Sequence, residues 1–239
     1  MATNGPDTKA TKPTSNTRPS LKRKLNEYLK SSDTVEIFVG PELTKWTLNE
    51  ELLCDRIPYF KAAFKNGFKE SKDKKLELPD DNPEVFGHLV EWLYMQQVGC
   101  TVCEDFVNRP SRKEEENPNH VLPWARLWVL ADKLGCEELM SWAEKKFTYC
   151  MGRVKFGVSP EVISFVFEKT LETSSLRISF TRTFVHLFFQ SSSYPDTFGE
   201  AAAANKTFNA EFLKEIKAHV GEKKEYCFIY GCTLHEADD

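Results

Sequence analysis

Cys100 and Cys103 form a C-x-x-C pair, and His120 follows downstream. Thiolate and imidazole are the ligands zinc prefers, but a closed zinc site takes about four of them. No second closely spaced pair completes such a set, so Cys100 and Cys103 read as loop cysteines, and no metal is assigned. The seven cysteines are odd in number and scattered, which argues against a disulfide framework. Cys54, Cys136 and Cys150 fall in helical patterns as small core residues. The five histidines stand apart from one another, and His88 and His186 lie in helical stretches, where a packed side chain is the simpler reading. Asp80-Asp81 is explained by helix capping and the helix dipole rather than by acid–base work. The phosphate loop G-x-x-x-x-G-K-[ST], the H-E-x-x-H pair and the G-x-S-x-G elbow are all missing. The chain therefore reads as a non-enzyme with no catalytic residue and no cofactor.

What remains is the chemistry of contact. Leu21, Leu25 and Leu29 recur every four residues, and with Tyr28 they place one apolar face on a short helix over 20–30, with Ser20 at its N-cap. Three buried leucines are worth about 1.5–3 kcal/mol each before ordering costs. That face either packs against a second chain or folds back on its own core. Phe68-Lys69-Glu70 offers a second candidate: an aromatic anchor for a groove, and two residues on a charge to set orientation. The alternative places Phe68 in the core and leaves Glu70 solvated.

The elements that would hold these residues follow from pattern. Val35, Ile37 and Val39 alternate with Glu36 and Phe38, as in a strand that Gly40-Pro41 ends with a turn. Leu43 to Leu48 reads as the returning strand. Asn49 caps a helix to Arg56, since Ile57 precedes a proline and leaves the helical region. Pro58 opens the next helix, and Leu76-Glu77-Leu78 is a short strand stopped by Pro79. From Asp81-Asn82-Pro83 a helix carries Val85, Phe86, Leu89, Val90 and Leu93 as one stripe. Residues 96–120 break the pattern and read as an exposed, mobile loop. Trp124, Leu127, Trp128, Ala131 and Leu134 then share a helical face that Gly135 ends. Leu139, Ala143, Phe147 and Cys150 continue with a second helix. Three further stripes start at Val162, Leu176 and Phe208, the first capped by Ser159, and run to Leu171, Phe188 and Val220.

This order resembles a BTB/POZ domain, with closing helices similar to those of the fungal-type single-domain proteins. The motifs are Ser32 to Val39, Trp46 to Phe60, Gly67 to Ser71, Leu76 to Pro83, Phe86 to Tyr94 and Leu127 to Cys136. The resemblance implies an α+β fold, a small mixed sheet capped by helices; beyond Met151 it fades, and the three stripes there read as an all-helical extension packed on that fold. It also implies a protein–protein interaction module that forms a homodimer, in which the helix before the first strand packs across a two-fold axis through Leu21, Leu25, Tyr28 and Leu29. Phe68 and Glu70 fall where cullin-binding BTB proteins carry a hydrophobic-x-acidic motif, which implies an adaptor for a cullin-based ubiquitin ligase. The other implied role is a self-associating scaffold or regulatory protein with no ligase function. Transcriptional-repressor BTB domains pair a buried acid with a base. Asp33 matches the acid, but Glu50 stands in the basic position and Asn49 replaces a common histidine, so two carboxylates would repel there.

The domain reading is a disordered tail over 1–19, a BTB/POZ domain over 20–150, a helical extension over 151–222 and a tail over 223–239. Apolar residues at 41% and charged residues at 28% are ordinary for a globular chain. A net charge of −4, without zinc-finger or basic-zipper spacing, excludes direct nucleic-acid binding. Lys22-Arg23-Lys24 is either an import signal or the solvated side of the first helix. No apolar run reaches the length of about 20 residues that spans a bilayer, and no signal peptide is visible. The expected location is the cytoplasm, the nucleus or both, where the sequon Asn205-Lys206-Thr207 would stay unmodified.

Overall fold

The computed structural model describes residues 21–100, 119–153, 158–190, 199, 203 and 205–221, at 21–24 and 221 through the backbone only. The tails read at 1–19 and 223–239 lie outside them. A three-stranded sheet in the order β2-β1-β3 organises the N-terminal part. Central β1 (Thr34–Val39) buries Val35, Ile37 and Val39 on one face, as its alternation demands. It pairs antiparallel with β2 (Thr44–Asn49), setting Ile37 opposite Trp46. On its other side it runs parallel to β3 (Lys75–Leu78), with Ile37 opposite Leu76. The parallel pair forces a crossover, and three short helices supply it. At the hairpin, Gly40 has φ +79°, and a Cβ there would lie 2.7 Å from Cγ of Pro83. Only glycine meets both conditions.

The chain first forms α1 (Leu21–Tyr28). After β2 come α2 (Glu50–Arg56) and α3 (Pro58–Lys65), separated by Ile57 at φ −125° because Pro58 forbids it a helical backbone. A short helix, α4 (Lys69–Asp73), ends on left-handed Lys74 and leads into β3. Next is α5 (Pro83–Met95), whose N-terminal amides at Glu84 and Val85 donate to Asn82 Oδ1 at 2.9 and 3.1 Å. Beyond the segment 101–118 follow α6 (Leu122–Lys133) and α7 (Glu137–Met151), with Gly135 at φ +66° between them. The C-terminal helices are α8 (Pro160–Lys169), α9 (Ser175–Gln190) and α10 (Lys206–Gly221).

The fold is α+β with a helical C-terminal region, as the sequence implies. Two groups of side chains fill its interior. Phe60, Phe64, Phe86, Leu89 and Trp92 pack beside the sheet strands, and Trp124, Leu127 and Trp128 of α6 extend that core. Phe180, Phe184, Phe208 and Phe212 make a second, all-aromatic cluster. Their rings lie 5.1–5.9 Å apart, the spacing at which aromatic edges and faces attract. Helix α7 belongs to both groups, because Phe147 reaches the Phe180 ring at 5.9 Å while the helix also packs on α6. Arg177 stacks over Phe167 at 4.3 Å and pairs with Glu211, which joins α9 to α10 through a buried cation.

Several expectations need correction. Helix α1 stops at Tyr28 rather than near 30. Helix α4 carries no apolar stripe, so periodicity passed over it. Leu171 and Val220, read as stripe members, are 78% and 60% exposed; Leu171 lies past the end of α8, whose C-cap is Thr170. The margins of the expected loop at 96–120 are packed, with Val98, Cys100 and His120 all buried. Asp81 pairs with Lys133 at 2.7 Å and leaves the capping of α5 to Asn82. Asn205 is the N-cap of α10, accepting from the amides of Thr207 and Phe208 at 3.0 Å.

Asn49 concentrates the polar bonding of the N-terminal part. Its Oδ1 accepts from Leu52 N at 2.9 Å, its Nδ2 donates to Tyr28 O at 2.8 Å, and its amide donates to Tyr94 Oη at 3.1 Å. Replacing it with alanine removes a cap worth about 1 kcal/mol and one hydrogen bond to the Tyr28 carbonyl, which keeps its bond from Ser31 N at 3.0 Å, at about 0.5–1.5 kcal/mol. Urea unfolding of Asn49→Ala should show a loss of about 2 kcal/mol. Asn49→Ser keeps the cap acceptor and should recover about 1 kcal/mol of it. Equal stability of the two variants would mean the cap contributes nothing.

Candidate protein-interaction site

The exposed aromatic Phe68 is presented by local backbone chemistry. Helix α3 ends at Asn66, and Gly67 at φ +76° turns the chain in open space. Phe68 then adopts an extended backbone at φ −66°, ψ 174° as the N-cap of α4. Its side chain is 59% exposed, so it is surface rather than core. Glu70 stands in the first turn of α4, half-buried, where a carboxylate suits the helix dipole.

The flanks of this segment are fixed by one buried carboxylate. Glu50 Oε1 accepts from Lys65 Nζ and Lys74 Nζ, each at 2.8 Å. Lys65 is the last residue of α3 and Lys74 the C-cap of α4, so the two bonds hold both ends of 65–74 against the start of α2. Burial alone would raise the Glu50 carboxyl pKa, but the hydrogen bonds from Lys65 and Lys74 outweigh it and leave it below the usual carboxylate range. The Lys65 ammonium is pushed up, chiefly by its hydrogen bond to Glu50. The repulsion expected between Glu50 and Asp33 is thereby avoided. Asp33 is exposed, and its carbonyl accepts from the Glu50 amide at 3.0 Å.

The second candidate surface is α1. Tyr28 is 4% exposed and donates to Asp55 Oδ2 at 2.5 Å. Most of its ring is therefore packed on its own chain. Leu25 is half-buried against the same core. Leu29, one residue beyond the helix, is 60% exposed. The backbone of Leu21 opens α1, while its side chain and those of Lys22-Arg23-Lys24 lie outside the described residues.

Chemistry of other kinds is sparse among the described residues. A cleft of about 590 Å³ is bordered by Glu91, Trp142, Lys145, Lys146 and Tyr149. It gathers no nucleophile–base pair. One set of potential metal ligands converges: Cys100, His120 and Cys150, all buried, with ligand atoms within 4.8 Å of one another. Sequence spacing brought Cys100 and His120 to notice but not Cys150, whose place in an apolar helical stripe carries no ligand signal. Cys103 lies outside the described residues.

The central β1 with an antiparallel and a parallel neighbour, the α2–α3 hairpin feeding β3, and the α6–α7 pair closing the core form one recurrent arrangement. A family model for the BTB/POZ domain matches residues 25–145, just over half of the chain. The chain belongs to the BTB/POZ domain family. The BTB domain is a protein-interaction module, and the described surface presents exposed apolar side chains, Leu29 and Phe68 among them. The chain is also similar to Kelch-like protein 40 of Xenopus laevis, 25% identical over 77 residues. That match covers 32% of this chain and only 12% of the relative. Among the described residues no helix is long and apolar enough to cross a membrane.

Within this BTB domain the Glu50 clamp makes a pH-dependent contribution. Its folded carboxyl pKa is depressed, so its stabilisation is present above the unfolded value of about 4.3 and is lost as pH falls through the folded one. The Lys65 contribution is present below the ordinary lysine value of about 10.4 and lost only as pH rises through its raised pKa. Both lysine ends are about half exposed, which screens the pair, so Glu50→Gln should cost about 1 kcal/mol at neutral pH. The gap from wild type should narrow between neutral pH and pH 3. An equal gap at both pH values would exclude the charged clamp.

Proposed function

We propose that this BTB protein is a homodimeric adaptor for a cullin-based ubiquitin ligase, acting in the cytoplasm, the nucleus or both, and not an enzyme. The observation that carries the reading is Phe68, an exposed aromatic at the N-cap of α4, with Glu70 two residues on and the segment clamped at both ends by Glu50. A ring already held in solvent enters a partner's groove with little further ordering cost, and burying it contributes about 1.5–3 kcal/mol. Glu70 then selects a partner surface that offers a cation. The hydrophobic-x-acidic position within the BTB sequence supports the same reading. The second reading, a self-associating scaffold with no ligase role, is favoured by Leu29 and the half-buried Leu25 beside it, which together leave an apolar ridge along α1.

Size exclusion with light scattering, run with a cullin N-terminal domain, separates the two. The adaptor should elute as a complex containing two chains, and Phe68→Ala/Glu70→Lys should lose the cullin while remaining dimeric. A wild-type protein that binds no cullin would overturn the adaptor role and leave the scaffold.

For the dimer, Leu29→Asp is the cleaner probe because Leu29 packs little on its own chain. It should give a folded monomer by mass and circular dichroism. Leu25→Asp should also dissociate the dimer, with a lower Tm because Leu25 packs on the core. A Leu29→Asp protein that remains a dimer would place the interface away from α1.

A further inference from the structure

We infer that Cys100, His120 and Cys150 form a metal site of the Cys2His type that takes zinc. The three come from separate parts of the chain: Cys100 from the strap after α5, His120 from the turn before α6, and Cys150 from the last turn of α7. Their ligand atoms nevertheless lie within 4.8 Å of one another. A tetrahedral zinc, with bonds of about 2.3 Å to sulfur and about 2.0–2.1 Å to nitrogen, sets its ligand atoms about 3.5–3.8 Å apart. The cluster therefore needs a contraction of about 1 Å or less, within the reach of side-chain rotation.

Exposure separates this reading from others. Cys100, His120 and Cys150 are 5%, 8% and 0% exposed. A Cys–His nucleophile would need substrate access, and these burials deny it. Two small buried cysteines alone would be ordinary core, but here both sulfurs lie within 4.8 Å of each other and of a buried imidazole nitrogen, a donor set that matches zinc. Both cysteines are thiols in this structure, not a disulfide. Sulfur and imidazole together select zinc over the hard cations magnesium and calcium, which take oxygen.

Loading would release the two thiol protons to solvent and leave a neutral imidazole. Two thiolates then cancel the charge of the dication, which permits its burial. The described residues supply three ligands, and water or a further donor completes the fourth position. Bound metal would fasten the residues on either side of 101–118 to the last turn of α7. This inference is independent of cullin binding and of the oligomeric state.

The test uses the full chain, purified under reducing conditions with no metal-affinity step, and measures zinc by elemental mass spectrometry. One zinc per chain should survive dialysis. Cobalt in its place should show thiolate charge-transfer bands and the intense d–d bands of a tetrahedral site. Chelation should lower Tm by roughly 5–10 °C. Cys100→Ser and His120→Ala should lose the metal, while Cys54→Ala, a buried thiol outside the cluster, should keep it. Folding of each variant is checked by circular dichroism, and the wild-type metal content stands whether or not a variant folds. Absence of metal from the reduced wild type after incubation with zinc, retention by Cys100→Ser, or a Cys100–Cys150 disulfide in its place would each overturn the assignment.

Discussion

Two consecutive polar residues at the junction of β2 and α2, both buried, hold the N-terminal part together. Asn49 faces back, capping α2, anchoring the end of α1 through the Tyr28 carbonyl and donating its amide N–H to the Tyr94 hydroxyl of α5. Glu50 faces forward, gripping the end of α3 and the C-cap of α4 through two lysines. Buried polar groups are costly unless every one finds a partner, and here each bond reaches a different element. The sheet sets direction, but this junction sets where α1 and the Phe68 segment stand relative to it. Both candidate contact surfaces thus hang on two adjacent side chains, one at each.

The two surfaces differ in how much of each is already used. On α1, Tyr28 is consumed by the core and Leu25 is half-consumed, so a partner meets mainly Leu29 among the described residues. At Phe68 the ring is exposed and only its backbone is constrained. The first surface trades partner contact for attachment to its own fold. The second keeps its apolar area intact and spends rigidity on orientation, the condition under which a single aromatic side chain acts as a hot spot.

Much of this was legible in the sequence, for reasons that can be named. Period-two alternation in 35–39 and Asn–Pro capping before α5 marked their elements without ambiguity, because each motif solves a local backbone problem. Gly135 ends α6 as its position suggested. The BTB order followed from such pieces in series. What could not be read depends on distance in the chain. Helix α4 is five residues long and polar, and its register comes from Glu50 some twenty residues upstream rather than from its own pattern. Glu50 looked like a repulsive neighbour of Asp33 because its lysine partners are not adjacent in sequence. Cys150 looked like core, which it is, and only folding shows that Cys100 and His120 meet it there. Leu171 and Val220 continued apolar stripes past the point where the helix or its packing stops.

Helix α7 runs over Glu137–Met151, while the family match ends at residue 145. The unit that is inherited as a recognisable domain and the unit that folds are therefore not the same length. Phe147, Cys150 and Met151, all completely buried, lie beyond the family boundary; Phe147 faces the phenylalanine cluster and Cys150 the thiol–imidazole cluster. A lineage could not exchange the C-terminal helices as a cassette at that boundary, since the seam passes through the middle of a helix whose last turn serves both sides. Divergence behind the BTB domain must instead proceed by gradual co-substitution across α7, α9 and α10. That is a physical reason for the two sides of α7 to change together.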